Sequence, residues 1–376
     1  MQKTLFIIRE LSGGGAEKVF VDVLNGLKAN GCTVEVLVLF PGGERFSDLA
    51  PTIPVHVVYP SCSFRALTAM RLMKWVKFPW LLRRDVLHCL GAHAFETTVS
   101  FVEGVPLLLQ SWIPAKRRVA WVRTDLLENH YTKVFFKGDD ERRLYGAMDA
   151  ILFVGRAALQ QFQLLFPGLP NRHLVLYDPI DVLRIRQLAQ TRVVPKRKVT
   201  LCSVGRLSPE KGVDRLIVAA HQLRQEGLDF DLWVVGEGTE REMLEREVAR
   251  LGLTDVVFFM GFQKNPYPFL GQADLFVSPS RAEGFPLVVC EALSLGIPVV
   301  STRTAGPQEL LADDHGVLCD HSVEALTAAL KGLIVSVEKR AYYASRARER
   351  AEMFDTQRSL REIEKMVFGM ERDSSN

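Results

Sequence analysis

The sequence lacks the cysteine patterns that stabilise secreted domains or hold zinc. It has six cysteines in 376 residues, and none of them forms a Cys-x-x-Cys pair. Several lie within apolar runs, so we expect buried free thiols in a reducing compartment. The eight histidines show no zinc-like spacing either. These absences exclude a disulfide scaffold and the common zinc modules.

The chain also lacks a long apolar run and a strong net charge. No apolar stretch approaches the roughly 20 residues that a membrane-spanning helix needs. The formal net charge is only +3, so we expect no nucleic-acid partner. Lys3 is followed at once by the strand-like segment 4–8. We therefore expect no signal peptide and a cytoplasmic protein, with peripheral contact to the inner face of the membrane left open.

One stretch, 64–84, contains no acidic residue at all. It interleaves six basic residues with eleven large apolar ones, among them two tryptophans. A basic, aromatic-rich amphipathic stretch suits an anionic membrane surface. The alternative is a helix that packs on a sheet with its basic face in water. The charge balance favours an anionic partner for this half, because residues 1–195 carry a net +7 and the remainder −4.

What the chain does contain is two series of strand-like segments that alternate with helical ones. With 376 residues and 48% hydrophobic residues, it is long enough for two cores. The alternation predicts two doubly wound α/β domains, at 1–190 and 198–345, on either side of a polar, basic linker. In the first domain the predicted strands are 5–8, 33–40, 55–59, 85–90, 119–122 and 150–154.

Candidate ligand-binding residues follow three of these strands. A glycine loop that includes Gly14 and Gly15 follows the first strand and suits phosphate or close ligand approach. It is not a P-loop, since no Gly-Lys-Ser/Thr follows, and a flexible turn is the alternative. His93 and Arg123 follow the fourth and fifth predicted strands, where doubly wound sheets meet their ligands.

The second series repeats this arrangement with stronger charges. Arg206 and Lys211 lie in the loop that begins at Gly205, after a predicted strand at 199–204. Each would contribute roughly 1.5–3 kcal/mol through a charge-assisted bond to phosphate, whereas the alternative is two solvated surface charges. Further along, Gly236 ends one strand. The turn at Gly261 and Phe262 ends the next, and it would hold a nucleobase or be a plain turn with a core phenylalanine.

Two carboxylates, Glu283 and Glu291, lie eight positions apart around a predicted helix start. Pro286 suits the first turn of that helix. A carboxylate such as Glu291 inside an apolar helix is costly unless something donates a hydrogen bond to it. A ligand's hydroxyl pair would do so, and a donor from the protein is the alternative. The backbone N–H groups that would face an anion such as a diphosphate belong to Gly284, Phe285 and Leu287.

Taken in order, these motifs resemble the family 4 glycosyltransferases of the GT-B fold. The resemblance covers nearly the whole chain and is carried by Gly205-Arg206 with 210–212, by 236–238, by Gly261-Phe262, by 283–286 with Glu291, and by the glycine loop 13–17. It implies two Rossmann-like doubly wound domains that face across a cleft. The donor would lie mainly in the second domain and the acceptor in the first. A C-terminal helix, 350–370, would pack back on the first domain.

The resemblance also implies an activity. We expect a retaining glycosyltransferase, of the hexosyltransferase type, that takes a sugar from a nucleotide-sugar. The expected donor is a UDP-sugar, and the expected acceptor is a lipid-linked glycan in cell-surface polysaccharide or lipopolysaccharide synthesis. No metal or other cofactor is expected. A nucleotide-sugar epimerase of the same fold and a non-catalytic nucleotide-sugar-binding regulator are the alternatives.

The roles of single residues follow from the same resemblance. Arg206 and Lys211 would neutralise the diphosphate, while Glu283 would contact the donor sugar and Glu291 the ribose hydroxyls. The full set expected to bind the donor is Gly14, Gly15, Gly205, Arg206, Lys211, Gly236, Gly261, Phe262, Gly284, Phe285, Pro286, Leu287 and Glu291.

This sequence departs from the family pattern in two places. Where members often carry a histidine after the fifth strand, Arg123 stands here, and where the turn near the hinge often reads Asn-Pro, it reads Asp178-Pro179. We expect Arg123 or His93 to replace the usual histidine beside Glu283 in catalysis. An Arg123 that pairs with Asp125 or Glu128 for structure only is the alternative.

Overall fold

The computed structural model describes residues 3–12, 14–43, 45–61, 63–73, 79–127, 130–196 and 198–369. The chain divides into two compact units. The first comprises the residues up to Pro179 together with those from Thr356 onward, and the second is Ile180–Asp355. Each unit contains a parallel sheet.

The described part of the first unit is built on seven strands. They are β1 Thr4–Ile7, β2 Val34–Val38, β3 Val55–Val57, β4 Phe95–Ser100, β5 Ala115–Val122, β6 Ala150–Phe153 and β7 Arg172–Val175. Of these, β1, β2, β4 and β6 are buried along most of their length. Within the described residues all seven form one parallel sheet in the order β3-β2-β1-β4-β5-β6-β7. The order reverses between β1 and β4, and parallel α/β sheets bind ligands at such a switch point.

Helices connect these strands. They are α1 Gly15–Ala29, α2 Phe64–Arg71, α3 Trp80–Leu90, α4 Val105–Gln110, α5 Asp140–Gly146 and α6 Arg156–Leu165, with short 3-10 helices at Phe46–Asp48 and Tyr131–Phe135. The apolar positions of α1 recur at helical spacing, so Phe20, Val23, Leu24 and Leu27 are all buried.

The predicted strand at 85–90 is wrong, because this segment lies within α3. The buried residues of α3 include Leu82, Val86 and Leu90, four positions apart, which is the spacing of one helical face. A short apolar run does not by itself distinguish a buried strand from a buried helix. The fourth strand is β4, whose threonine-rich sequence gives a weaker apolar signal. His93 therefore precedes β4 instead of following it.

The second unit repeats the architecture. Its strands are β8 Val199–Val204, β9 Phe230–Val235, β10 Val257–Gly261, β11 Leu275–Ser278, β12 Val299–Thr302 and β13 Val317–Cys319. They form a parallel sheet in the order β10-β9-β8-β11-β12-β13, with the switch point between β8 and β11. Its helices are α7 Val182–Ala189, α8 Val213–Gln225, α9 Arg241–Arg250, α10 Tyr267–Gln272, α11 Leu287–Leu295, α12 Ala305–Leu310, α13 Val323–Ile334 and α14 Val337–Ala351, with a 3-10 turn at Pro209–Lys211.

The boundary between the units falls earlier than the polar segment 191–198 that the sequence favours. Helix α7 packs on α10 and α11, and Ile185 is buried with Leu270 and Val289 in one cluster, so α7 belongs to the second unit. At the other end, α15 Thr356–Phe368 belongs to the first unit. It packs on α1 and accepts a hydrogen bond at Glu364 from Asn30, 2.5 Å away.

None of the helices in the described part of the chain combines the length and the apolar character needed to cross a bilayer. The five cysteines among the described residues are free, and all but the half-buried Cys89 are buried. Cys62 lies outside the described residues.

Candidate functional site

A pocket lies at the carboxyl ends of β8 and β11, at the switch point of the second sheet. Its volume is about 320 Å³ when the solvent at its mouth is counted. Gly205, Arg206 and Lys211 line it from the loop after β8, and Ser280 and Glu283 line it from the loop after β11. All of these residues except Ser280 were predicted from the sequence, and the two motifs that contain them, one with Gly205, Arg206 and Lys211 and the other with Glu283, meet in this pocket.

The charges in this pocket are arranged asymmetrically. The Nζ atom of Lys211 lies 2.5 Å from Oε1 of Glu283, and the hydroxyl of Ser280 donates to the same oxygen at 2.8 Å. Two donors hold this carboxylate, which is 12% exposed, in one orientation. The Arg206 side chain is exposed, and no described residue accepts a hydrogen bond from it. One cation is thus engaged with the pocket's own carboxylate, and one is available to an anion.

Glycines let the backbone segments beside the pocket approach closely. Gly236 has φ +141°, and a Cβ there would lie 1.9 Å from the carbonyl oxygen of Gly205. Its N–H donates to the carbonyl of Gly261 at 2.9 Å. The backbones at the three predicted glycines, Gly205, Gly236 and Gly261, therefore lie next to one another. Phe262, which follows, is 51% exposed. It is therefore not the core phenylalanine that one interpretation of this turn required.

The helix with the second carboxylate begins slightly later than its sequence favoured. Helix α11 starts at Leu287, and Pro286 is its N-cap, so Gly284 and Phe285 lie in the loop before it. The carbonyl of Glu283 accepts a hydrogen bond from the backbone of Gly306, at the start of α12, at 3.1 Å. The segment predicted to face an anion, 284–287, is therefore held at one end by this hydrogen bond and at the other by the start of α11.

Glu291 has a donor from the protein, which is the alternative that the sequence left open, although the sequence did not identify that donor as Tyr267. It is buried in α11 and accepts a hydrogen bond from the hydroxyl of Tyr267, 2.9 Å away. It is not among the residues that line the pocket. Tyr267 lies between two prolines, where the sequence shows a turn and no link to a position 24 residues later. A ribose contact for Glu291 stays a prediction.

Arg123 lies at the carboxyl end of β5 but is not open to solvent. Its Nη2 atom donates to Oδ2 of Asp178 at 2.5 Å, and the guanidinium lies over the rings of Phe101 and Trp121 at 4.7 and 5.4 Å. Both members of the ion pair are more than nine-tenths buried. The two departures from the family pattern, Arg123 and Asp178, therefore contact each other. The pairing for structure that the sequence placed on Asp125 or Glu128 is made with Asp178.

Buried carboxylates hold the loop after β5 in place. Glu103 accepts from the backbone N–H of Arg123 at 3.0 Å, from the hydroxyl of Thr124, and from Tyr131 at 3.1 Å. Glu141 likewise accepts from Thr132 at 2.6 Å. The carboxylates of Glu103 and Glu141 are thus occupied by donors from the protein itself.

His93 lies at the opposite edge of the first sheet. It precedes β4, and its ring packs against His56 and Phe95 with ring centroids 5.7 and 6.3 Å apart. His56 pairs with Glu35 at 2.7 Å, also at the amino-terminal side of the strands. The premise for a catalytic His93, a place at the carboxyl end of a strand, is therefore wrong.

The predicted glycine loop lies at the carboxyl edge of the first sheet. Gly14 is the N-cap of α1 and Gly15 is its first residue, while Gly13 lies outside the described residues.

Comparison with known proteins identifies the fold first. The chain is similar in structure to Anabaena HepE in complex with UDP and glucose, with a TM-score of 0.77, 21% identity, and coverage of 98% of this chain and 100% of that one. The chain therefore has the predicted GT-B fold, with two Rossmann-like α/β domains.

Sequence relatives then identify the family. The model of the glycosyl transferases group 1 matches residues 185–350. A phosphatidylinositol monomannoside mannosyltransferase of Mycolicibacterium smegmatis, named as GDP-mannose-dependent, is 31% identical over 67% of this chain and 70% of its own length. A Campylobacter jejuni protein named as a diphospho-undecaprenol N-acetylgalactosaminyltransferase is 27% identical over 98% of this chain and all of its own. The chain belongs to the glycosyl transferases group 1 and is a glycosyltransferase.

Proposed function

We propose that this glycosyltransferase is a retaining, family 4 enzyme that moves a sugar from a UDP-sugar to a lipid-linked glycan. Its product would be a cell-surface polysaccharide or lipopolysaccharide precursor, made at the cytoplasmic face of the membrane. The pocket at the switch point of the second sheet supports a nucleotide-sugar donor. The names of the relatives support a lipid-linked acceptor, since one contains diphospho-undecaprenol and another phosphatidylinositol.

In this proposal Arg206 and Lys211 act on the diphosphate. As the bond from the sugar to the diphosphate breaks, negative charge grows on the leaving phosphate oxygens, and fixed cations stabilise it. Lys211 is already held by Glu283, so on donor binding it would connect that carboxylate to the diphosphate. Glu283 would accept from hydroxyls of the donor sugar. Two side-chain cations would supply the charge that a metal supplies in other transferases, so we expect no metal requirement.

The single observation that carries the donor proposal is the meeting of Arg206, Lys211 and Glu283 in one pocket. The test begins with a thermal-shift screen of UDP- and GDP-sugars, because a bound donor raises the unfolding temperature. Purified protein is then incubated with the stabilising donor, extracted bacterial glycolipids and a chelator. Sugar transfer that survives the chelator and is lost in Glu283→Gln supports the proposal.

A matched control for that variant is Glu245→Gln. Glu245 is also paired with a cation, Arg241 at 2.6 Å, but on the exposed face of α9, and its loss should leave transfer unchanged. Conversion of the donor sugar without an acceptor would identify the epimerase alternative. Donor binding with neither transfer nor slow donor hydrolysis would identify a regulator.

The 64–84 stretch supports contact with an anionic membrane. Phe64 and Trp80 are 84% and 56% exposed, at the starts of α2 and α3. Arg71, Arg83 and Arg84 are exposed around them, and Arg84 lies over the Trp80 ring at 5.9 Å. Exposed aromatics beside free cations suit an interface of anionic head groups and acyl chains. Residues 74–78, which include both lysines of the stretch, lie outside the described residues.

Not every cation in the stretch is available to lipid. Arg65 donates to the buried carboxylate of Asp85 from Nε at 2.9 Å and also from Nη2, so the pair is bidentate. The test of membrane contact is therefore the variant with Arg71, Arg83 and Arg84 changed to Glu. Its flotation with vesicles that contain phosphatidylglycerol should be lost, and wild-type flotation should fall with salt. The control variant changes the exposed Lys264, Lys331 and Lys339 to Glu, and equal flotation of the two variants would contradict membrane contact through this stretch.

A further inference from the structure

The two loops that carry Lys211 and Glu283 are joined by a bidentate ion pair outside the pocket. Arg281, in the loop after β11, donates from Nη1 to Oδ1 of Asp214 at 2.8 Å and from Nη2 to Oδ2 at 2.6 Å. Asp214 lies in the first turn of α8, three positions after Lys211. A planar guanidinium and a carboxylate that pair through two bonds fix both distance and angle.

The same arginine also holds the backbone of the first loop. Its Nη1 atom donates to the carbonyl of Pro209 at 2.6 Å, and its backbone N–H donates to the carbonyl of Glu210 at 2.7 Å. These two residues begin the 3-10 turn that ends at Lys211. Arg281 therefore contacts the turn at its start, while Asp214 fixes the helix that follows its end.

Gly212 allows this close approach. It has φ +66°, and a Cβ there would lie 2.1 Å from the carbonyl oxygen of Pro279, a contact that no side chain tolerates. Arg215 donates to the same carbonyl at 2.6 Å. The loops after β8 and β11 thus touch through their backbones, and Arg281 with Asp214 closes the contact on its solvent side.

The pair contributes little to stability in itself, because both side chains are partly exposed and exposed ion pairs are screened by water. Its consequence is geometric. Lys211 lies within the turn that Arg281 holds, and Glu283 lies two residues after Arg281. The position of the Lys211 ammonium relative to the Glu283 carboxylate therefore depends on the tie between their loops.

We propose that Asp214 and Arg281 are positioning residues for the diphosphate of the donor. They hold Lys211 and Glu283 at the spacing that a sugar diphosphate requires, without touching the donor themselves. This inference rests on the proposed function of the pocket. Because the tie acts through Lys211, its loss should weaken diphosphate binding by no more than the loss of the Lys211 bond to phosphate itself, and we expect about 10- to 100-fold.

The experiment measures UDP and uridine binding by titration calorimetry, with GDP and guanosine used instead if the wild-type protein selects them. Arg281→Ala and Asp214→Asn should lose about 10- to 100-fold in UDP affinity, whereas uridine affinity, which involves no phosphate, should not change. Arg281→Lys keeps the positive charge but cannot form the bidentate pair, so its UDP affinity should lie between those of the wild type and Arg281→Ala. The control is Arg250→Ala, which breaks a bidentate pair with Glu247 on α9 of the same unit and should bind UDP as the wild type does.

A double variant separates positioning from general structure. If Arg281 acts through Lys211, then Arg281→Ala should cost much less UDP affinity in a Lys211→Ala background, since coupled residues are not additive. Full additivity would overturn the inference. So would unchanged UDP affinity in Arg281→Ala and Asp214→Asn, or an equal loss for UDP and uridine. Should Arg281→Ala fail to fold, Arg281→Lys and Asp214→Asn decide the question. A wild-type protein that binds no nucleoside diphosphate would overturn the proposed function, and this inference with it.

Discussion

At the carboxyl edge of the second sheet, Arg206 is exposed and Lys211 reaches a carboxylate that lines a pocket. At the carboxyl edge of the first sheet, Arg123 is buried against two aromatic rings and paired with Asp178. Both edges are places where parallel sheets meet ligands. In the second unit the charge is accessible to a ligand, and in the first unit it holds the protein's own loops.

This difference teaches that position at a strand end does not by itself make a residue catalytic. Arg123 satisfies the positional rule as well as Arg206 does, yet its partners are internal. Substitutions at the edge of the first sheet should therefore change stability, and substitutions at the edge of the second sheet should change ligand binding.

The largest expected effect is on the stability of the first unit. Arg123→Ala should lower the free energy of unfolding by about 3–5 kcal/mol, because it leaves the Asp178 carboxylate buried without its partner. Denaturant unfolding followed by circular dichroism measures this loss. A double variant, Arg123→Met with Asp178→Leu, should lose much less, since no charge is then left unpaired. Wild-type stability with lost turnover in Arg123→Ala would instead support the catalytic role that the sequence favoured.

The next effect is on donor binding in the second unit. Lys211→Ala and Arg206→Ala should each weaken UDP binding by about 1.5–3 kcal/mol, which is the range of a charge-assisted bond to phosphate. That range corresponds to about 10- to 150-fold in the dissociation constant. Calorimetry measures the affinity, and unfolding temperatures near that of the wild type exclude a folding defect. Unchanged UDP affinity in both variants would contradict donor binding at the carboxyl edge of the second sheet.

A smaller effect concerns pH and a third ion pair, between Arg65 and Asp85. The hydrogen bond from Arg65 lowers the pKa of Asp85, and burial opposes this less strongly. A carboxyl whose pKa is lowered by folding stabilises the protein above its unfolded value of about 3.9, and this stabilisation is lost as the pH falls through the folded value. Asp85→Asn should therefore lose less unfolding temperature than the wild type does as the pH falls from about 5 to about 2. Parallel profiles for the two proteins would argue against the pair.

The smallest effect is expected at the amino-terminal edge of the first sheet. His93→Ala should leave turnover unchanged, because His93 precedes β4 and lies beside His56 and Phe95. A steady-state transfer assay checks this, with His88→Ala, an exposed residue of α3, as the control. A large loss of turnover confined to His93→Ala would restore the residue to the catalytic set.

The sequence predicted the second unit better than the first for a physical reason. Around Lys211 and Glu283 each strand is a compact apolar run, and the next loop opens with glycine, proline or charge, so both strand and loop are visible locally. In the first unit the apolar run at 85–90 belongs to a helix, and the true strand, β4, has polar threonines. Only tertiary packing distinguishes the two.

The partners of buried charges were the least predictable feature. Asp178 lies 55 residues from Arg123, and Tyr267 lies 24 from Glu291. No periodicity connects such positions, because they meet only when separate strands and helices assemble. The sequence showed that Arg123 departs from a family pattern and that Glu291 is a carboxylate in an apolar helix. It did not show which residue pairs with either of them.

The central claim is that the donor diphosphate binds at the carboxyl edge of the second sheet. Hydrogen–deuterium exchange, with and without the nucleoside diphosphate that stabilises the wild-type protein, tests it most directly. The account predicts slower exchange on binding in the backbone of 205–212 and 280–287, and no such protection in these segments for Lys211→Ala at the same nucleotide concentration. Unchanged exchange in both segments at saturating nucleotide, with protection elsewhere, would contradict it.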